Sequence, residues 1–252
     1  MTTESRGRVS PRLHDSIAVM ALLIALGFAL LSPTERTQGD LARMLYIHVP
    51  AVIVAYTAFV VTMVSTIGYL IKRNLRWDHW AGASAELGVV FLGLTLATGM
   101  IWAKPVWGVW WTWDARLTLT ALMFFVYVGY LGVRRTISDP ELRAGRSAIL
   151  GIVAALLIPI VHFSVTWWRT LHQAPTLLRP GEPQIDGPLL TAEIVGIVAF
   201  LLVSTALMRR RLSLSRIESR LHAAGLAVDA PLAGDAVTAP RLGTAAVEDT
   251  TR

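Results

Sequence analysis

Six apolar runs dominate this chain and leave it few folds. They cover roughly Ser16–Leu31, Val49–Ile71, Ala81–Trp102, Ala115–Val133, Ser147–Thr166 and Pro188–Met208. Crossing a hydrocarbon core takes about 20 residues of helix, and most of these runs reach that length. Within lipid every backbone N–H and C=O must find its partner internally, so such runs form helices. The composition agrees, with 54% hydrophobic residues and only 16% charged, too little charge to cover a water-facing surface. The expected architecture is an all-α integral membrane protein with six transmembrane helices. The first run is short and follows Arg6, Arg8 and Arg12, a pattern shared with signal peptides. The LLSPTE that follows lacks a small-x-small cleavage site, so the run is read as an uncleaved anchor.

Lys and Arg placement sets the orientation. With the N-terminus inside, 17 of the 23 fall on inner segments and 6 on outer ones, which predicts N-in and C-in. The net charge of +6 is then a topology signal rather than a sign of nucleic-acid binding. Residues 1–212 read as the membrane domain. Residues 213–252 read as a cytoplasmic basic stretch and a disordered tail: RRRLSLSRIESRLH suits an amphipathic helix on an anionic leaflet, and the composition beyond it lacks apolar periodicity. The chain has no cysteine, which excludes disulfides, thiolate ligands and thioether bonds to a cofactor. No nucleotide-binding glycine loop is present, so ATP-driven work would belong to a partner.

The tryptophans are one-sided. Of nine, Trp102, Trp107, Trp110, Trp111 and Trp113 lie at the second outer loop, and Trp167 and Trp168 open the third. An aromatic belt is the plain alternative, but a belt is spread over both interfaces. The segment 102–118 includes WGVWWTWDARLT. Read as a short surface helix begun after Pro105, it sets Trp107, Trp110, Trp111 and Asp114 on one face. That face would be an indole shelf of large apolar area.

Two histidines flank the shelf. His48 precedes Pro50 at the mouth of the second run, and His172 follows the fifth. Two imidazoles on opposite faces make a six-coordinate haem site. A planar apolar macrocycle would suit the shelf, and its propionates would suit Arg116, Lys104 or Arg169. His162 lies roughly 7 Å inside the fifth run at helical rise; a hydrogen bond to a neighbouring helix is its simpler reading. Glu86 and Glu193 fall within apolar runs and are assigned no chemistry, and His14, His79 and His222 belong to the inner side.

WGVWWTWDARLT resembles the tryptophan-rich WWD signature of the haem-handling proteins of cytochrome c maturation. YIHVP, GMIWAKPVWG and HFSVTWWRTLHQ resemble, more narrowly, the haem exporter protein C family, over about residues 40–210. The resemblance implies haem held on the periplasmic side of the inner membrane by the WWD segment, with His48 and His172 as axial ligands. It implies presentation of haem to a periplasmic haem chaperone. It also implies work beside an ABC-type transporter, composed of an ATPase and a membrane subunit, and a small single-helix accessory protein. The expected site is therefore His48, His172, Trp107, Trp110, Trp111, Trp113, Asp114 and Arg116, holding a b-type haem non-covalently and transiently. On this reading the chain is a handover component, without bond-forming chemistry on its own side chains. The rival within the WWD group, a haem lyase or cytochrome c synthetase, would need a further intramembrane histidine pair, and only His162 is suitably placed. A transporter membrane subunit would need a polar lining, and the runs show few polar positions.

Overall fold

The computed structural model describes residues 11–174, 177, 181–182, 185 and 187–224; Arg179 and the expected tail lie outside them. Residues 1–216 form one compact unit, and 217–252 a second, of which only the end of the last helix is described. The helices are α1 (Pro11–Leu31), α2 (Leu45–Lys72), α3 (Leu75–Trp107), α4 (Ala115–Arg135), α5 (Pro140–Ala155), α6 (Leu157–Trp167) and α7 (Gly187–Ala223). Among the described residues they make six spans long and apolar enough to cross a membrane, because α5 and α6 are two halves of one crossing, Pro140–Trp167. The protein is a multi-pass membrane protein.

The joint at Leu156 has a cause in the sequence. Pro159 has no N–H to give Ala155, and its ring crowds that carbonyl. The helix therefore breaks within the preceding turn.

Helix ends depart from the apolar runs in the same instructive way. α3 begins six residues early, at Leu75, because the Asn74 side chain accepts the Arg76 N–H at 2.9 Å and caps the first turn. It continues through Pro105 and stops at Gly108, whose φ of 77° gives the left-handed turn and whose N–H bonds the Lys104 carbonyl at 3.0 Å. No surface helix starts after Pro105: residues 108–110 bend and 111–114 carry no regular structure. The basic stretch after Met208 continues α7 without a break. Two of its arginines are engaged across the unit, Arg210 with Asp15 at 2.7 Å and Arg211 with Glu86.

α2 and α3 form the central antiparallel pair. Ala81, Ala83, Ser84, Ala85 and Gly88 are buried along α3, and Ser84 Oγ meets Thr62 Oγ1 of α2 at 2.8 Å, the small-residue packing that membrane helices use in place of a hydrophobic drive. A Cβ on Gly88 would stand 2.2 Å from Phe59 Cε1. Phe59 in turn stacks on Tyr127 of α4, centroids 3.6 Å apart at 10°. Gly88→Val is thus expected to force the α2–α3–α4 core apart, an overpacking cost of about 1–3 kcal/mol or more. The check is the yield of folded monomer in detergent, which should fall several-fold, while Gly129→Ala, at a glycine with open space around it, should not lower it.

Both ends of the bundle are pinned by polar contacts. At one end Asp78 of α3 is 2% exposed and receives Arg134 at 2.5 Å and Arg143 at 3.1 Å. At the other, Arg43 donates to the carbonyls of Ala29, Leu30 and Ser32 and thereby closes α1 against the loop before α2. This second end carries the candidate site.

Candidate functional site

His48 lies in the first turn of α2, and its ring faces α3. Its Nδ1 sits 3.0 Å from Thr98 Oγ1. The Thr98 hydroxyl spends its own proton on the Leu94 or Thr95 carbonyl, at 2.8 and 3.1 Å. Toward His48 it can therefore only accept, so Nδ1 carries the hydrogen and Nε2 keeps the lone pair. Gly99 makes the approach possible: a Cβ there would lie 3.2 Å from His48 Cε1. Trp102 meets the same imidazole edge-on at 6.0 Å and is held by its own Nε1–H, which donates to Gln38 Oε1 at 2.9 Å.

His172 arrives from the loop after α6 and is fixed the same way. Its Nδ1 bonds the Gln173 carbonyl at 2.8 Å, which again leaves Nε2 as the free donor of an electron pair. Burial, with the Arg116 charge nearby, holds its pKa below the ordinary 6.5. The imidazole is thus kept neutral, the form that ligates metals.

The rings of His48 and His172 face each other at 6.5 Å between centroids, inclined by 34°. A metal–imidazole bond of about 2.0 Å, with roughly 1.1 Å more from that nitrogen to the ring centre, sets two trans imidazoles about 6.2 Å apart. The observed centroid separation is close to that spacing, so one metal ion between the two rings would fit the gap. Among the described residues no third His, Cys, Asp or Glu joins them into a metal cage. His48 and His172 would hold a metal that brings further ligands of its own, as the iron of a porphyrin does.

A cavity of about 320 Å³ opens around this pair, within the range of small-molecule sites. Trp102, Trp107 and Trp111 line it, and it runs inward past Tyr56 and His162 to Leu92. The tryptophan segment is therefore split in its use. Trp107 and Trp111 wall the cavity, whereas Trp110 is 56% exposed and Trp113 82% exposed and neither lines it. The expected four-residue helical face is not formed, because Gly108 ends α3 before it can continue. Of the three candidate cations, Arg116 lines the cavity; Lys104 instead donates to the Gly108 carbonyl at 2.9 Å, and Arg169 stands exposed outside it.

Asp114 and Arg116 do not pair with each other among the described residues; each holds backbone. Arg116 Nη1 donates to the Val161 and His162 carbonyls at 2.7 and 3.0 Å, tying α4 to α6. Asp114 caps α4 by accepting the Leu117 N–H at 2.9 Å. Its other oxygen accepts the Thr170 hydroxyl at 2.7 Å and the Leu171 N–H at 3.1 Å. Thr170 Oγ1 in turn accepts the His172 N–H at 3.1 Å. One carboxylate thus fixes the start of α4 and the loop that carries His172. Thr98, Gly99, Gln38 and Thr170 were not singled out from the sequence, although Gly99 opens GMIWAKPVWG and Thr170 lies within HFSVTWWRTLHQ.

Comparison with known proteins follows the same lines. The family described as Heme exporter protein C matches residues 3–226. A Heme exporter protein C of Bradyrhizobium diazoefficiens is 35% identical over 208 residues, 80% of this chain and 79% of the relative. Another, of Haemophilus influenzae, is 34% identical over 225 residues, 86% of this chain and 91% of the relative. A putative cytochrome c biosynthesis ccmC-like mitochondrial protein of Arabidopsis thaliana is 36% identical over 165 residues, 66% of this chain and 61% of the relative. A match spanning most of the membrane domain, with the two facing histidines inside it, leaves one assignment: the chain belongs to the Heme exporter protein C family.

Proposed function

We propose that this protein binds haem at the outward, periplasmic end of an inner-membrane six-helix bundle and presents it to a periplasmic haem chaperone during cytochrome c maturation. The observation that carries the reading is the 6.5 Å gap between His48 and His172, two imidazoles whose Nδ1 atoms are both engaged and whose Nε2 atoms remain for one iron. Family membership supports haem as the cargo and cytochrome c maturation as its setting. The bias of Lys and Arg toward the opposite side supports the outward placement. With no cysteine in the chain, the haem is held non-covalently, as a b-type group that can leave. Trp107 and Trp111 supply apolar surface for the macrocycle, and Arg116 a charge for a propionate. An ABC-type transporter, with its ATPase and membrane subunit, and a small single-helix protein complete the proposed assembly, and residues 213–252 its cytoplasmic extension.

The deciding experiment is an absorption spectrum of the purified protein beside His48→Ala and His172→Ala. The parent is expected to show six-coordinate bis-histidine haem, and each variant to lose or convert it, with a matching fall in haem captured by the chaperone. If both variants keep the parental spectrum, these histidines are not the ligands.

The same spectrum has a defined pH behaviour. A protonated imidazole has no pair to offer, so ligation by His172 is lost only as pH falls through its folded pKa. That value lies below 6.5, so the six-coordinate form is expected to predominate at neutral pH, with the midpoint of its loss below pH 6.5. A spectral titration checks this; a midpoint at or above pH 6.5 would show that the ring is more solvated than its surroundings indicate.

A further inference from the structure

We propose that the groove between α3 and α4 is a lateral doorway and apolar subsite, through which an amphiphilic porphyrin enters the histidine cavity from the lipid leaflet. The inference rests on the proposed haem-binding reading. A second depression lies beside the cavity, lined by Leu96 and Met100 of α3 and by Thr118, Ala121, Leu122 and Phe125 of α4, among others. Its surface is almost wholly apolar. Leu122 is 47% exposed and Phe125 66% exposed, so the groove opens on the outer surface of the bundle, which the proposal sets against lipid.

Leu96, Met100 and Trp111 line both the groove and the cavity. They are the wall between the two, and a displacement of these side chains would join them. That wall carries an unusual polar burden. Trp111 Nε1 and Thr118 Oγ1 are buried without a hydrogen-bond partner, an arrangement that costs stability while it lasts. A ligand with carboxylate arms passing this point would offer both groups an acceptor. A lipid acyl chain would offer neither. The porphyrin combines the two properties the groove asks for, an apolar plane that partitions into a bilayer and an acidic edge. Its far end then leads to Arg116 and the two imidazoles without a passage through water.

The test compares two sources of haem for the same haem-free protein in lipid nanodiscs. One is phosphatidylcholine–phosphatidylglycerol vesicles preloaded with hemin; the other is hemin carried by albumin in water. Ala121→Trp plugs the groove, and Leu122→Trp repeats the test at a lipid-exposed position where an indole is tolerated if the first variant folds poorly. Loading from vesicles is expected to slow about tenfold in either variant. Loading from albumin and the final spectrum should stay unchanged, and Ile149→Trp, at an exposed position of α5 that lines neither the groove nor the cavity, should not slow vesicle loading. Unchanged vesicle loading in both tryptophan variants overturns the proposal and leaves the groove to lipid chains. Equal slowing from both sources also overturns it, because the substitution would then have disturbed the cavity itself. Failure of the parent protein to give a bis-histidine spectrum is a different result, and it sinks the haem-binding reading instead.

Discussion

Asp114→Ala is expected to strip the protein of six-coordinate haem while leaving both histidines in the chain. The carboxylate makes three contacts that alanine cannot make: the cap on Leu117 N at 2.9 Å, Thr170 Oγ1 at 2.7 Å and Leu171 N at 3.1 Å. An N-cap contributes about 1 kcal/mol, and each hydrogen bond to a charged acceptor about 1.5–3 kcal/mol. Even half of such a total exceeds the roughly 1.4 kcal/mol that makes a tenfold difference in binding. The cost falls on the Thr170–His172 segment, whose position depends on this anchor. Haem retained by the variant should drop more than tenfold, and what remains should be five-coordinate on His48. Added imidazole is then expected to restore the six-coordinate spectrum, because the missing element is a placed ligand and the rest of the cavity stands. Asp114→Asn should fall between, since an amide has one acceptor oxygen where the carboxylate uses two. A parental spectrum in Asp114→Ala would show that the His172 loop is held by something else.

This prediction depends on contacts that no reading of the sequence supplied, and the reason is physical. The number of spans was legible because twenty-residue apolar runs have one outcome in lipid. Their ends were less so, because Asn74 and Gly108 set the limits of α3 by local backbone chemistry that hydropathy does not register. The fifth run was read without a break, although the joint at Leu156 follows from the N–H that Pro159 lacks. Within the site, residue type pointed to His48, His172, Trp107, Trp111 and Arg116, which the structure gathers around one cavity. Trp110 read equally well but depended on a helical period that Gly108 ends, and Trp113 entered with the tryptophan-rich segment as a whole; both stand exposed outside the cavity lining. Thr98 lies 50 residues from His48 and Thr170 lies 56 from Asp114. Such pairs are brought together by packing of α2 on α3 and of α4 on α6, and nothing local marks which residues will meet.

The largest stability effect is expected far from the cavity, at Asp78. This carboxylate is 2% exposed and lies between the Arg134 and Arg143 guanidinia, at 2.5 and 3.1 Å. Arg134 also donates to the Asp78 carbonyl at 3.2 Å and to Ser147 Oγ at 2.9 Å, so one acid joins the ends of α3, α4 and α5. Asp78→Ala would leave two cations facing each other without a counter-charge. Breaking a buried pair in this way costs about 3–5 kcal/mol, and at roughly 2–4 °C per kcal/mol for a unit of this size the melting temperature should fall by about 10 °C. Arg134→Ala should cost less, because Arg143 remains to pair with the acid, and Arg143→Ala least, because that side chain is 24% exposed. Thermal unfolding followed by tryptophan fluorescence in detergent gives the three values. The haem spectrum per folded molecule should not change in any of them, since Asp78 stands 24 residues before Trp102 on one helix, roughly 36 Å away. If Asp78→Ala melts within two or three degrees of the parent, the two arginines find water or each other's carbonyls instead, and the joint at this end of the bundle is not held by charge.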